Sequence, residues 1–205
     1  MLDLNEALSE IGSIREQMAR SSRFLGYGPR THALTGLLAL GVAACQVLWP
    51  APPPYRVALY FALWIATALF ALVMTGTETV VRSRRLHALL SLQMMHCAVE
   101  QFLPAIVAGG LLSVVLWRVA PESTWMLPGL WQVLFSLGVF ASVRFLPRAT
   151  FWVGIWYLFA GLACLVLCRG ERALSPWEMG IPFGIGQLLV AGVLQLGRGE
   201  SDESA

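Results

Sequence analysis

Apolar positions in this chain fall into six long uncharged runs: Ala33 to Trp49, Val57 to Thr75, Gln101 to Trp117, Met126 to Val143, Ala149 to Cys168 and Met179 to Gly197. At about 1.5 Å rise per residue, a helix through each crosses or nearly crosses a hydrocarbon core of about 30 Å. The runs do not alternate, and they are far longer than the roughly ten-residue strands of a membrane β-barrel, so that class is excluded. The pattern predicts an all-α, polytopic membrane bundle of six transmembrane helices, arranged as three hairpins. Between the second and third runs lies an inner linker, residues 76–100, and a short acidic tail, 198–205, follows the last.

A different periodicity precedes the first run. Leu4, Ile11 and Met18 recur every seven residues, with Ala7 and Ile14 at the complementary positions, and Glu6, Glu10, Arg15, Glu16 and Arg20 flank this seam. The predicted element is a cytoplasmic amphipathic helix over 1–25, followed by a Gly/Pro linker over 26–32 that carries Gly26, Gly28 and Pro29. The segment opens with acids and lacks an apolar core region, so it does not read as a signal peptide. Its charges balance, unlike those of a helix that binds lipid electrostatically. Two readings follow: a helix lying on the membrane or on the protein's own loops, or a seam that pairs with another helix.

Charge then orients the bundle. All fourteen basic residues are arginine, a usage that fits a GC-rich bacterial genome. With the N-terminus inside, ten arginines fall on the inner side and only Arg56, Arg118, Arg169 and Arg172 outside, as the positive-inside rule expects. The expected location is therefore a bacterial cytoplasmic membrane, with both termini cytoplasmic. Pro50 to Tyr55 makes a stiff outer turn, and Trp49, Trp117, Trp125 and Trp177 fall at the outer boundary, where an indole is at home. A net charge of +2 gives no reason to expect nucleic acid.

Candidate chemistry is sparse. Gln93, His96 and Glu100 fall within about 60° on one helix face, and Pro104 on the same side frees the Glu100 carbonyl. Such a group can hold a cation, relay a proton or anchor a headgroup; alternatively Glu100 pairs with Arg82 or Arg144 for structure alone. Gln46, Gln132 and Gln187, in the outer halves of their spans, are placed to hydrogen-bond across helices or to line a cavity. Small residues recur every four positions, among them Thr35, Ala39 and Ala43, then Ala105, Gly109 and Ser113, and Gly180 with Gly184, the last a possible dimer face. Cys164 and Cys168 share a helix face but supply at most two ligands by themselves, so no metal and no cofactor is expected.

The only aspartates are Asp3 and Asp202, and no membrane-hydrolase or metal motif is present, which argues against an enzyme. No charge falls at mid-membrane, where ion-coupled carriers place theirs. By elimination the expected function is an interaction or regulatory component that binds a cytoplasmic or membrane protein, or a second copy, through its cytoplasmic face. The alternative is a small transporter or channel subunit acting as an oligomer.

Overall fold

The structure, a computed structural model, describes residues 28–50, 52, 55–85, 89–146 and 149–202; the side chains of 79, 82–85, 89–95, 171 and 196–202 lie outside the description. The described regular structure is entirely helical: α1 (Pro29–Leu48), α2 (Arg56–Arg85), α3 (Leu89–Val119), α4 (Leu127–Ser142), α5 (Thr150–Leu167) and α6 (Trp177–Asp202), with 3₁₀ turns at Pro121–Met126, Val143–Phe145 and Gly170–Arg172. Six helical segments are long and apolar enough to cross a membrane; the fourth, Pro121–Phe145, reaches that length only with the 3₁₀ turns that flank α4. The chain is a multi-pass membrane protein.

Three boundaries differ from expectation. α1 begins at Pro29 with Gly28 as its N-cap, so the expected linker over 26–32 gives up its last four residues. Proline suits the first helical turn, where its missing N–H has no partner to lose and its φ is already helical. Of the expected linker over 76–100, the sequence allows helix from Arg85 to Ala120; what differs is that α2 also runs on through 76–85, while 86–88 lie outside the description. No breaker interrupts it, and Thr77 folds its hydroxyl back onto the Val73 carbonyl at 2.8 Å. α6 runs on to Asp202, into the expected tail. The amphipathic entry helix and its seam, Leu4, Ala7, Ile11, Ile14 and Met18, lie outside the described residues.

Consecutive helices run antiparallel. One face of the bundle carries the turns Trp49–Tyr55, Pro121–Met126 and Arg169–Pro176, here called the hairpin face. The other, the terminal face, carries the start of α1 and the α2 to α3 and α4 to α5 connections. In lipid no hydrophobic force drives apolar helices together, so their association rests on close packing at small residues. α1 lies along α6 through Gly36, Ala39 and Ala43. A methyl on Gly36 would stand 3.0 Å from the Gly184 carbonyl, and one on Gly180 would meet the Ala43 methyl. Gly180 and Gly184, legible as a dimer face, are therefore consumed inside the chain, because Leu40 and Ala43 already occupy the groove they open.

The α4 and α5 helices approach more closely still. Gly129 and Gly161 sit on each other's backbone, and a methyl on Gly161 would lie 2.7 Å from the Gly129 carbonyl oxygen. α3 joins this pair through Gly138, packed under Phe102 and Ala105. Two hydrogen bonds fasten the same seam: Ser142 Oγ to the Ala98 carbonyl at 2.9 Å, and Trp131 Nε1 to Ser113 Oγ at 2.8 Å. Phe135 stands at the centre, edge-on to Phe102 and Phe183 and tilted against Tyr157. α2 contributes Tyr60, Phe61 and Trp64 to a second cluster with Ala39, Leu127 and Met179.

Gly161→Ala forces α4 and α5 apart and is expected to cost about 1–3 kcal/mol, the usual penalty of overpacking. Gly110→Ala, where a methyl meets nothing within 4 Å, is expected to be neutral or slightly stabilising. Reversible unfolding in mixed micelles measures both; equal stability of the two variants would show that the Gly129 and Gly161 contact does not hold the seam.

Candidate functional site

Polar and reactive groups gather at the hairpin face, where α5 ends and α6 begins. Cys164 and Cys168 are four residues apart, so one helical face presents both sulfurs. The chain then reverses through the 3₁₀ turn at Gly170–Arg172, using φ +63° at Gly170 and φ +58° at Leu174. Leucine in that left-handed region is strained by about 1–3 kcal/mol. Packing of Leu174 against the Tyr60, Phe61 and Trp64 cluster offsets the strain. The result is that α6 starts on Ser175-Pro-Trp-Glu178, a capping-box spacing. Glu178 Oε1 accepts the Ser175 N–H at 3.1 Å, which turns the carboxylate back over the start of its own helix and toward the cysteines.

Glu178 is only 7% exposed. Its other oxygen, Oε2, accepts from the Cys164 thiol at 3.9 Å. One donor atom from each of Cys164, Cys168 and Glu178 lies within 4.8 Å of the others. Cys164 is buried and Cys168, just past the end of α5, is half-buried. Burial, and then the Glu178 charge, push the Cys168 thiol above its usual range, while Arg172 on the same turn opposes that shift. Arg169 is engaged elsewhere, stacked over the Trp125 ring at 5.3 Å with Nε donating to the Leu165 carbonyl at 3.2 Å. Two sulfurs and a carboxylate oxygen form the donor set that borderline-soft divalent cations accept. The two-ligand limit expected for the cysteines is thus lifted by a third residue from the next helix.

Glu178 also anchors the bundle through its backbone. Pro182, one turn later in α6, has no N–H to donate to the Glu178 carbonyl, and an orphaned carbonyl is costly in a membrane interior. Gln132 of α4 supplies the missing donor, with Nε2 2.8 Å from that oxygen. Gln132 is completely buried. Its expected role as a link between helices is therefore accounted for by a proline on the neighbouring helix.

Gln187 makes a second link, at another depth. His32 Nδ1 and Gln187 Oε1 are 2.7 Å apart, with the imidazole N–H as donor, and Thr35 Oγ1 stands 3.3 Å from the same oxygen. Gln187 is thus level with the first turn of α1, toward the terminal face, not in the outer half of its span. Gln132 and Gln187 consequently occupy different levels. Gln46 has an enclosed amide, and neither of its polar atoms has a partner among the described residues. The antiparallel register that sets Ala43 against Gly180 carries Gln46 to the level of Trp177, where α6 is just starting.

Of the expected polar stripe, His96 and Glu100 come together, with Nδ1 and Oε1 3.2 Å apart. Both are largely exposed, at 77% and 59%. Arg144, an expected partner of Glu100, instead lies over the Phe145 ring at 5.4 Å. The side chain of Gln93 lies outside the description. Sequence reasoning missed Glu178 and the bonding of His32. For Glu178 two signals were available, the Ser175-x-x-Glu178 spacing and the cysteine pair ten residues before it; for His32 only the fold brings Gln187 within reach.

The chain matches no protein-family model, no curated protein and no solved structure.

Gln132→Leu, which leaves the Glu178 carbonyl bare, is expected to destabilise the bundle by about 0.6–2 kcal/mol. In a Pro182→Ala background the restored N–H takes over that carbonyl, so the same substitution is expected to cost less. A double-mutant cycle read by unfolding in micelles checks this; additive effects would mean that the proline and the glutamine are not coupled.

Proposed function

We propose that this chain is a non-enzymatic, multi-pass component of a bacterial cytoplasmic membrane that binds a protein partner through its cytoplasmic face. The α2 to α3 connection and both termini lie on that side in this reading, as the arginine distribution favours. One structural observation supports it above the others. α2 and α3 are 30 and 31 residues long, about ten more than the roughly 20 that cross a hydrocarbon core. The excess is roughly 15 Å of helix at 1.5 Å per residue, and the arginines that end α2 in the sequence, Arg82, Arg84 and Arg85, favour its lying on the terminal face. At the foot of this overhang, His96 and Glu100 pair with each other and remain open to a partner.

A bundle that served only as a membrane anchor would not need this overhang. On the hairpin face, by contrast, the α3 to α4 and α5 to α6 connections close with short 3₁₀ turns. The heptad seam expected from the sequence over residues 1–25, which lie outside the described residues, would offer a second helix for the same contact. Only 6% of the spanning part of α3 is buried within the chain, which leaves that helix able to follow a membrane-embedded partner as well.

Purification in mild detergent, with and without residues 1–25, tests the reading. The full chain is expected to retain a defined partner or oligomer that the shortened chain loses, and His96→Ala with Glu100→Gln is expected to weaken the same association while leaving unfolding unchanged. Identical complexes in all three preparations would remove the basis for a partner-binding face. Reporter fusions at residue 205 and in the Pro50 to Tyr55 turn are expected to score cytoplasmic and external, respectively.

A further inference from the structure

We propose that Cys164, Cys168 and Glu178 form a binding site for a borderline-soft divalent cation of the zinc type, on the hairpin face opposite the proposed partner surface. The site joins two elements. The last turn of α5 contributes the Cys164 sulfur and its C-cap the Cys168 sulfur, and the capping box at the start of α6 holds the carboxylate over them. All three donor atoms already lie within 4.8 Å of one another. Cys164 Sγ and Glu178 Oε2 are 3.9 Å apart. Around a tetrahedral zinc, with bonds of about 2.3 Å to sulfur and about 2.0 Å to oxygen, the corresponding separation is about 3.5 Å. The difference for this pair is about 0.4 Å, within the reach of side-chain rotation.

The chemistry of the donors selects the class of ion. Two thiolates disfavour magnesium and calcium, which take oxygen ligands, and the carboxylate disfavours copper(I), which prefers all-sulfur surroundings. Three protein ligands leave a fourth position for water or an outside ligand, the pattern of an exchangeable site and not of a closed structural one. Access is from the hairpin face, because Cys168 is only half-buried whereas Cys164 is enclosed.

Charge is consistent with occupancy. Glu178 is nearly buried, and among the described residues no arginine forms an ion pair with it. A carboxylate at a membrane boundary without a counter-charge is costly. On binding, each thiol releases its proton to water as its sulfur takes the metal. Two thiolates, one carboxylate and a divalent cation leave a single negative charge, and Arg172 on the connecting turn acts electrostatically on Cys168 from nearby. The strained Leu174 belongs to the same turn, so the backbone conformation that exposes Ser175 to Glu178 also shapes the site.

Cobalt(II) titration of the full-length chain, reduced and kept in detergent under anaerobic conditions, reads the site directly. About one equivalent is expected to produce a thiolate-to-cobalt charge-transfer band that zinc abolishes. Cys164→Ser and Cys168→Ser are each expected to remove the band, Glu178→Gln to weaken binding at least tenfold, and Cys45→Ser with Cys97→Ser to change nothing. Because a serine at the enclosed position 164 can disturb folding, a second measurement uses the unaltered chain: one equivalent of zinc is expected to protect the half-buried Cys168, and not Cys45, from maleimide. No band in the unaltered chain at stoichiometric cobalt, or a band that survives loss of both cysteines, overturns the proposal. Undiminished affinity in Glu178→Gln overturns the three-ligand site, and thiols that react only after further reductant would identify a disulfide instead.

Discussion

Close backbone approach at glycine is the constraint on which this bundle rests. Inside a bilayer, burying apolar side chains against one another gains little, since lipid solvates them equally well, and helices associate only where their surfaces touch over many atoms. Gly129 against Gly161, and Gly36 against Gly184, bring carbonyl oxygens to within the distance a single methyl would occupy. These two contacts set the separation and register of α4 with α5 and of α1 with α6. The aromatic clusters around Phe135 and Tyr60 then fill the wider spaces that the narrow seams leave.

The polar interactions follow from those registers. With α6 held between α1 and α5, Pro182 lands beside Gln132, and the orphaned Glu178 carbonyl finds its donor. The same register sets Gln187 against His32. A slip of one helical turn would leave a bare carbonyl, a bare amide and a bare imidazole in a medium that offers no water to any of them. Polar residues thus make the register specific, although the small residues supply most of the contact.

The two ends of the molecule are built differently. The terminal face carries the connection between the two longest helices, α2 and α3, and presents the exposed His96 and Glu100 pair. The hairpin face folds tightly, with a left-handed leucine and a capping box, and draws thiols and a carboxylate together.

Six spans, their limits to within a few residues and the all-helical class were legible in the linear order of residues, because length and continuous apolarity are local properties that the bilayer selects directly. So was the stacking of His96 on Glu100, a consequence of helical spacing alone. What the sequence could not determine is which small residues face which. Gly180 and Gly184 read equally well as a dimer face or an internal seam, and Gln46, Gln132 and Gln187 read alike although, among the described residues, one finds a backbone carbonyl, one a histidine and one no partner. Those outcomes depend on the register between helices, set by summed contacts among residues far apart in the chain. The same is true of Glu178: its position next to the last apolar run was visible, but only the turn that brings α6 back over the end of α5 makes it a neighbour of Cys164 and Cys168.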